Sequence, residues 1–280
     1  MKPFRERTRG GATAVYRHPL AVRATHWVNA LCLLVLLLSG LQILNAHPAL
    51  YWGETSRFDR PLAAIEAAPQ PDGKLRGRLL VGDAVFDTTG VLGASMSGSE
   101  QLQARAFPSW LTLPAYPDLG AGRRWHFAFA WVLVINGLLY ALFAAATGRL
   151  SGLLWPSPAE LRHVGRALWD HLRLRFAHGD DARGYNVLQK LAYSTVVFGL
   201  LPLMLATGLV MSPAVYARLP LLGDLLGGRQ SARTLHFLAA SGLVAFVAVH
   251  LAMVLAAGPI NEIRSMVTGW FVVRREKKTP

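Results

Sequence analysis

Two histidines, His236 and His250, stand fourteen residues apart inside a run, Thr234–Asn261, that carries no Asp, Glu, Lys or Arg. At about 3.6 residues per turn, this spacing is nearly four helical turns, so both imidazoles leave roughly the same face. At about 1.5 Å per residue they are about 21 Å apart along the axis, most of a hydrocarbon layer about 30 Å thick. Ionisable side chains are expensive at that depth, and two on one face mark a redox or ion pathway. Two stacked cofactors, one near each membrane surface, would use the spacing fully.

Two further histidines complete the set. His26 falls three residues into the first apolar run and His126 opens the second. With alternating helix directions, His26 and His250 lie at the inner membrane surface and His126 and His236 at the outer one. Two bis-histidine sites result, one per leaflet. Three of the four histidines have an arginine three residues earlier: Arg23, Arg123 and Arg233. A guanidinium one turn nearer water suits the propionate of a haem whose iron the histidine holds. A lone intramembrane histidine can merely bond a neighbouring helix, and an interfacial arginine can merely anchor a helix end; depth-matched pairs favour the cofactor. Zinc is a second use of imidazole, but no carboxylate lies in any span. Bis-imidazole iron is six-coordinate, which suits electron transfer rather than oxygen chemistry.

The elements that must carry these residues follow from hydropathy. The chain has 280 residues, 52% hydrophobic and only 16% charged, which points to a membrane protein. Four windows lack formal charge and are long enough to span: Ala24–Gly53, Trp125–Gly148, Leu191–Ala217 and Thr234–Asn261. The expected fold is an all-α integral membrane protein, a four-helix transmembrane bundle with spans at 24–45, 123–147, 190–211 and 233–257. The remainder is a leader 1–23, a large extracytoplasmic loop 46–122 between the first two helices, and a cytoplasmic loop 148–189. A short outer loop 212–232 and a tail 258–280 complete the division. The leader lacks a small-residue cleavage site, so a retained signal anchor is expected.

The net charge of +13 does not indicate nucleic acid, because the basic residues cluster in three segments on one side of that topology. The leader holds Lys2, Arg5, Arg7, Arg9, Arg17 and Arg23. The loop 148–189 holds Arg149, Arg162, Arg166, Arg173, Arg175 and Arg183, and the tail holds Arg264, Arg274, Arg275, Lys277 and Lys278. The positive-inside rule makes that side cytoplasmic, with both termini inside and a basic face toward anionic lipid. The single cysteine, Cys32, excludes an intrachain disulfide, and the absence of C-x-x-C-H excludes covalent c-type haem.

The 77 residues of 46–122 exceed any simple helix–helix connection, normally about 2–8 residues. Short apolar segments (Leu79–Val81, Ala84–Phe86, Trp110–Leu113) between turn residues predict a cap with strands or hairpins. Pro158–Arg175, with Leu161, Val164, Leu168 and Leu172 in register, reads as an amphipathic surface helix. The tail reads as a second, with Ile263, Met266, Val267, Trp270 and Phe271 on one face. Gly40, Gly137, Gly208 and Gly242 fall inside spans, where they permit close helix approach or leave room for a flat macrocycle. His163, His171 and His178 read as interfacial, and His18 as lying by the inner surface.

One histidine in span one, one in span two and two in span four resembles the di-haem cytochrome b subunits, the membrane anchors of formate dehydrogenase, nickel–iron hydrogenase and thiosulfate reductase. Arg17-His18-Pro19, Arg23-Ala24-Thr25-His26-Trp27 and Arg233-Thr234-Leu235-His236 look like that family's first and fourth helices. The long loop, with Phe86-Asp87-Thr88-Thr89-Gly90-Val91-Leu92-Gly93 and then Gly122-Arg123-Arg124-Trp125-His126-Phe127, departs from the formate dehydrogenase form. It looks like the cytochrome b/b6-domain branch described as thiosulfate-reductase-like.

The resemblance implies two non-covalent b-type haems on His26, His126, His236 and His250, with quinone as substrate. It also implies a periplasmic redox subunit, a molybdopterin oxidoreductase of thiosulfate-reductase or sulfite-oxidase type, as partner at the bacterial inner membrane. The quinone site in that family lies by the inner haem, which implicates His18, Arg17 and Asn29. Two other readings stay open: a stand-alone oxidoreductase such as a superoxide:quinone oxidoreductase, which the 77-residue cap would obstruct, and a transporter or anchor without haem.

Overall fold

The computed structural model describes residues 6–9, 12–71, 73–96, 102–148, 156–173 and 186–274. Four helices are long and apolar enough to cross a membrane: α1 (Leu20–Leu44), α2 (Leu119–Ala146), α5 (Val187–Met211) and α8 (Arg229–Ala257), with the short α6 (Pro213–Arg218) and α7 (Pro220–Leu225) between the last two. Their most apolar windows are only 22%, 6%, 11% and 11% buried inside the protein, so most of that surface is left for lipid. Leu138, Leu142, Val249 and Leu255 are among the exposed side chains.

All four helices begin earlier than the hydropathy windows, and in two of them, α2 and α8, carboxylates hold the first turn. Glu54 accepts from the Arg229 backbone N–H at 3.2 Å and from the Tyr216 hydroxyl at 2.8 Å. A carboxylate there satisfies an otherwise unpaired N–H at the positive end of α8. Asp118 Oδ1 accepts from Ala121 N at 2.8 Å and holds the first turn of α2 in the same way. Helix α5 widens to π geometry over Thr195–Leu200. Pro202 is the cause: it has no N–H to donate, and its ring crowds the carbonyl four residues back.

The chain forms two compact units. One comprises Ala30–Val134 and Leu201–Ser241 and contains the connection between α1 and α2. Its four-stranded antiparallel sheet has the order β3 (Ala49–Leu50), β4 (Ala63–Pro69), β5 (Leu75–Val81), β6 (Ala84–Asp87). A two-residue turn, with Gly82 at φ 55°, joins β5 to β6 and brings Leu79 opposite Phe86, so two of the apolar segments become partners. Ala49, Tyr51 and Ala64 pack with Leu80 as a small core. A hairpin of β7 (Ala94–Met96) and β8 (Leu102–Ala104) follows, and Trp110 lies in a single 3-10 turn.

The connection is fastened to the membrane helices by side chains. Arg105, buried, donates to Gln42 Oε1 at 2.9 Å, Thr112 Oγ1 at 2.5 Å and the Ala115 carbonyl at 2.6 Å. Burial pushes its guanidinium below the ordinary arginine value. Asn45 accepts from Phe107 N at 2.8 Å, and Thr234 donates to the Tyr51 carbonyl at 2.6 Å. The ends of α1 and α8 are thus both tied to it.

The other unit comprises the chain up to Asn29, Ile135–Leu200 and everything from Gly242 onward. Its three-stranded antiparallel sheet was not foreseen: β1 (Glu6–Arg9), β2 (Ala12–Tyr16) and β9 (Trp270–Arg274). Leader and tail pair through Thr13 with Val273 and Val15 with Phe271. Two expectations need correction. The tail helix α9 spans only Pro259–Thr268, because Gly269 takes φ 86°, and Trp270 and Phe271 belong to the strand rather than to the helix face. A side chain at Gly269 would also meet the His18 carbonyl at 2.7 Å. The surface helix is two pieces, α3 (Pro158–Leu161) and α4 (Val164–Leu172), the first closed by a capping box of Ser157 and Glu160. Arg149, Arg175, Arg183 and His178 lie outside the described residues.

Candidate functional site

The four span histidines come together as two pairs, and each pair lies within one unit. His26 of α1 faces His250 of α8 with ring centroids 6.3 Å apart. His126 of α2 faces His236 of α8 at 6.2 Å. An imidazole nitrogen binds a first-row metal at about 2.0–2.1 Å and its ring centre lies about 1.1 Å behind, so two rings across one ion have centres about 6.2–6.4 Å apart. Both pairs stand at a separation that would let two imidazoles hold one iron between them. Among the described residues no group of three His, Cys, Asp or Glu converges, so each donor set is two imidazoles and nothing more.

The His126–His236 pair carries a second layer that fixes its chemistry. Ser39 Oγ donates to the Val35 carbonyl at 2.6 Å and stands 3.1 Å from His126 Nδ1. Thr207 Oγ1 donates to the Leu203 carbonyl at 2.6 Å and stands 2.9 Å from His236 Nδ1. A hydroxyl has one proton. Spent on the helix carbonyl, it leaves the oxygen to accept from an Nδ1–H, and a ring protonated there would keep the lone pair on Nε2 for a metal. Both hydroxyl residues are fully buried.

Glycines lie against both rings, where an alanine would make ordinary contact and a larger side chain would collide. A Cβ at Gly40 would stand 3.4 Å from His126 Cε1, and one at Gly208 would stand 3.6 Å from His236 Cε1. A Cβ at Gly242 would meet Leu200 Cδ1 at 3.4 Å, a helix-packing position, and one at Gly137 would meet nothing within 4 Å.

In the His26–His250 pair, His250 stacks on Phe246 with ring centroids 6.0 Å apart and planes 17° apart. The His26 ring meets the edge of Trp27, whose indole N–H donates to the Met266 carbonyl at 3.1 Å. Asn136 of α2 is buried beside it and donates to the Thr25 carbonyl at 2.9 Å and to Asn29 Oδ1 at 2.7 Å. Those two acceptors flank His26 on the next residue and the next turn, so Asn136 fixes the helix segment from which His26 projects.

The three arginines are engaged locally. Arg23 donates to the Val267 carbonyl, while its buried Nε has no hydrogen-bond partner among the described residues, an orphaned donor one turn from His26 that suits a carboxylate. Arg233 donates to the His47 carbonyl. Arg123 lies over the Phe127 ring at 5.6 Å. His47, bonded to the Tyr51 hydroxyl at 3.1 Å, is held below its ordinary value by burial first and by the Arg233 charge second.

The three quinone candidates separate. Arg17 and His18 sit with the tail, both backbone N–H groups donating to the Gly269 carbonyl, and Arg17 reaches Glu262 at 3.8 Å. Asn29 is engaged by Asn136 deeper in α1.

Sequence reasoning missed Ser39, Thr207, Asn136 and Arg105. A scan for uncharged polar residues inside the spans finds the first three, since such residues bond across helices there. Nothing in the loop marked Arg105 from its neighbours.

The family model described as prokaryotic cytochrome b561 matches residues 17–269. A putative protein-methionine-sulfoxide reductase subunit YedZ1 of Azospira oryzae is 40% identical over 147 residues, 52% of this chain and 70% of that protein. No solved structure matches. With four spans and imidazoles paired across the spacing of one iron, the chain belongs to the prokaryotic cytochrome b561 family, multi-pass membrane cytochromes that bind b-type haem and carry electrons.

Proposed function

We propose that this protein holds two b-type haems and carries electrons between the quinone pool and a periplasmic redox subunit of the bacterial inner membrane. The observation that carries the reading is the presence of two separate imidazole pairs at 6.3 and 6.2 Å, each spaced for one iron. Haem supplies reversible one-electron chemistry when bound. His26 with His250 would hold the iron of one haem, and His126 with His236 that of the other. Arg23, Arg123 and Arg233, one turn from three of these histidines, are the propionate-side cations. The pairing of leader and tail supports a topology with both termini on one side, and the charge distribution makes that side cytoplasmic.

Quinol oxidation releases two electrons and two protons, which calls for polar groups at a membrane surface. Arg17 and His18, beside the Gly269 turn, supply them next to the His26 end of α1. Asn29, bonded to Asn136, is the weaker of the three quinone candidates. The connection fastened to α1 and α8 is the docking cap for the partner, a molybdopterin oxidoreductase. The likeness to a methionine-sulfoxide reductase subunit supports electron flow outward, because reducing a sulfoxide to a sulfide and water consumes two electrons and two protons.

The test is optical and compositional. Protein purified from native membranes in mild detergent should show b-type absorption that appears on adding menadiol and decays on adding methionine sulfoxide, with stoichiometric molybdenum in the same fraction. Absorption that menadiol leaves unchanged would refute the quinone assignment, and absence of molybdenum would refute the partner assignment.

A further inference from the structure

We propose that Ser39 and Thr207 are positioning residues that lower the reduction midpoint of the iron held by His126 and His236, by accepting their Nδ1 protons. This rests on the two-haem reading above. The argument is local. Each hydroxyl spends its proton on the carbonyl four residues earlier, Val35 for Ser39 and Leu203 for Thr207, both at 2.6 Å. Each oxygen is then an acceptor in a fully buried position. An acceptor on Nδ1–H leaves more electron density on Nε2 and makes the imidazole a stronger donor to the metal. A stronger donor favours the ferric over the ferrous state, so the midpoint falls.

The two hydroxyls come from different helices, α1 and α5, and act on ligands from α2 and α8. All four membrane helices therefore contribute to this one centre. The His26–His250 pair has a different setting, with Phe246 stacked on His250 and Trp27 against His26. A difference in midpoint between the two centres follows from the unlike surroundings. The hydroxyls also fix which nitrogen faces the metal before it binds, because a ring with its proton on Nδ1 presents Nε2 without rearrangement.

A redox titration of the visible spectrum tests this, with Ser39→Ala and Thr207→Val removing the acceptor and Ser39→Thr and Thr207→Ser retaining it. Loss of an outer-shell partner typically costs about 10–100-fold in metal affinity or activity, and a loss that falls on the ferric state enters the oxidised-to-reduced ratio directly. Taking the lower figure, each deletion should change the oxidised-to-reduced ratio of one component about tenfold at fixed ambient potential, an upward move of about 59 mV for one electron. The second component should stay where it is, and the hydroxyl-retaining variants should match the unsubstituted protein. Midpoints that stay put in the deletion variants, or that move equally in the retaining ones, overturn the proposal. Folded protein without b-type absorption would instead overturn the two-haem reading. Should a deletion variant release its haem, the 15N spectrum of histidine-labelled apoprotein decides: Nδ1–H on His126 and His236 supports the proposal, and Nε2–H overturns it.

Discussion

Asn136→Leu is the substitution that separates the two centres most cleanly. Asn136 donates to the Thr25 carbonyl at 2.9 Å and to Asn29 Oδ1 at 2.7 Å, both on α1 and both adjacent to His26. Interhelical hydrogen bonds inside membranes average about 0.6 kcal/mol and reach about 1.7 kcal/mol. Leucine fills a similar volume, so the lost packing is small and the loss of two bonds comes to about 1–3 kcal/mol. At about 1.4 kcal/mol per factor of ten, haem retention at the His26–His250 centre should fall by about one order of magnitude or somewhat more. Transfer of haem to excess apomyoglobin, followed at the Soret band, measures retention directly. The expected record is biphasic, with one component leaving at least several-fold faster and the other unchanged. Gly137→Ala is the control at the next position, where a Cβ meets nothing within 4 Å. Two components that leave at the original rates, or accelerated loss from the His126–His236 centre instead, would refute the role given to Asn136.

Three further outcomes follow from the same geometry. Gly208→Leu should eject the His126–His236 component, since even a Cβ there would lie 3.6 Å from the His236 ring, while Gly208→Ala should keep it; difference spectra decide. Arg105→Met should weaken the fastening of 105–116 to α1 by about 2–3 kcal/mol, read as faster limited proteolysis in that segment, because Arg105 makes three hydrogen bonds in a buried position. Glu160, held down to about 2 chiefly by its bond to Lys190 and then by the Ser157 backbone N–H, contributes stability that is fully present above its ordinary value of 4.5. That contribution is lost as pH falls from 4.5 through about 2, so hydrogen exchange at residues 157–161 should accelerate over that window in the unsubstituted protein and not in Glu160→Gln.

The spans were legible because four uncharged windows of adequate length leave little choice, and the histidine pairs because helical spacing and alternating direction set their depths. Two cap strands were legible as short apolar segments around Gly82. The sheet between leader and tail was not, because its pairing joins Ala12–Tyr16 to Trp270–Arg274, and no local pattern encodes a partner so far along the chain. The alternation Thr13, Val15 was present, but the arginines around it drew attention to charge. The tail helix was overextended because an amphipathic period continued past Gly269, whose left-handed backbone ends the helix regardless of hydropathy. Ser39 and Thr207 went unnoticed for a different reason. Each is an ordinary helix residue in sequence, and its role exists only once a histidine from another helix arrives beside it.

The most direct test of the two-centre account is haem stoichiometry by pyridine haemochrome, measured per mole of folded protein for the unsubstituted chain and for His236→Ala and His250→Ala. The account predicts about two haems per chain in the first, from its two imidazole pairs, and about one in each variant, with different residual midpoints because different pairs survive. One haem or none in the unsubstituted protein, or residual spectra and midpoints identical in the two variants, would contradict it.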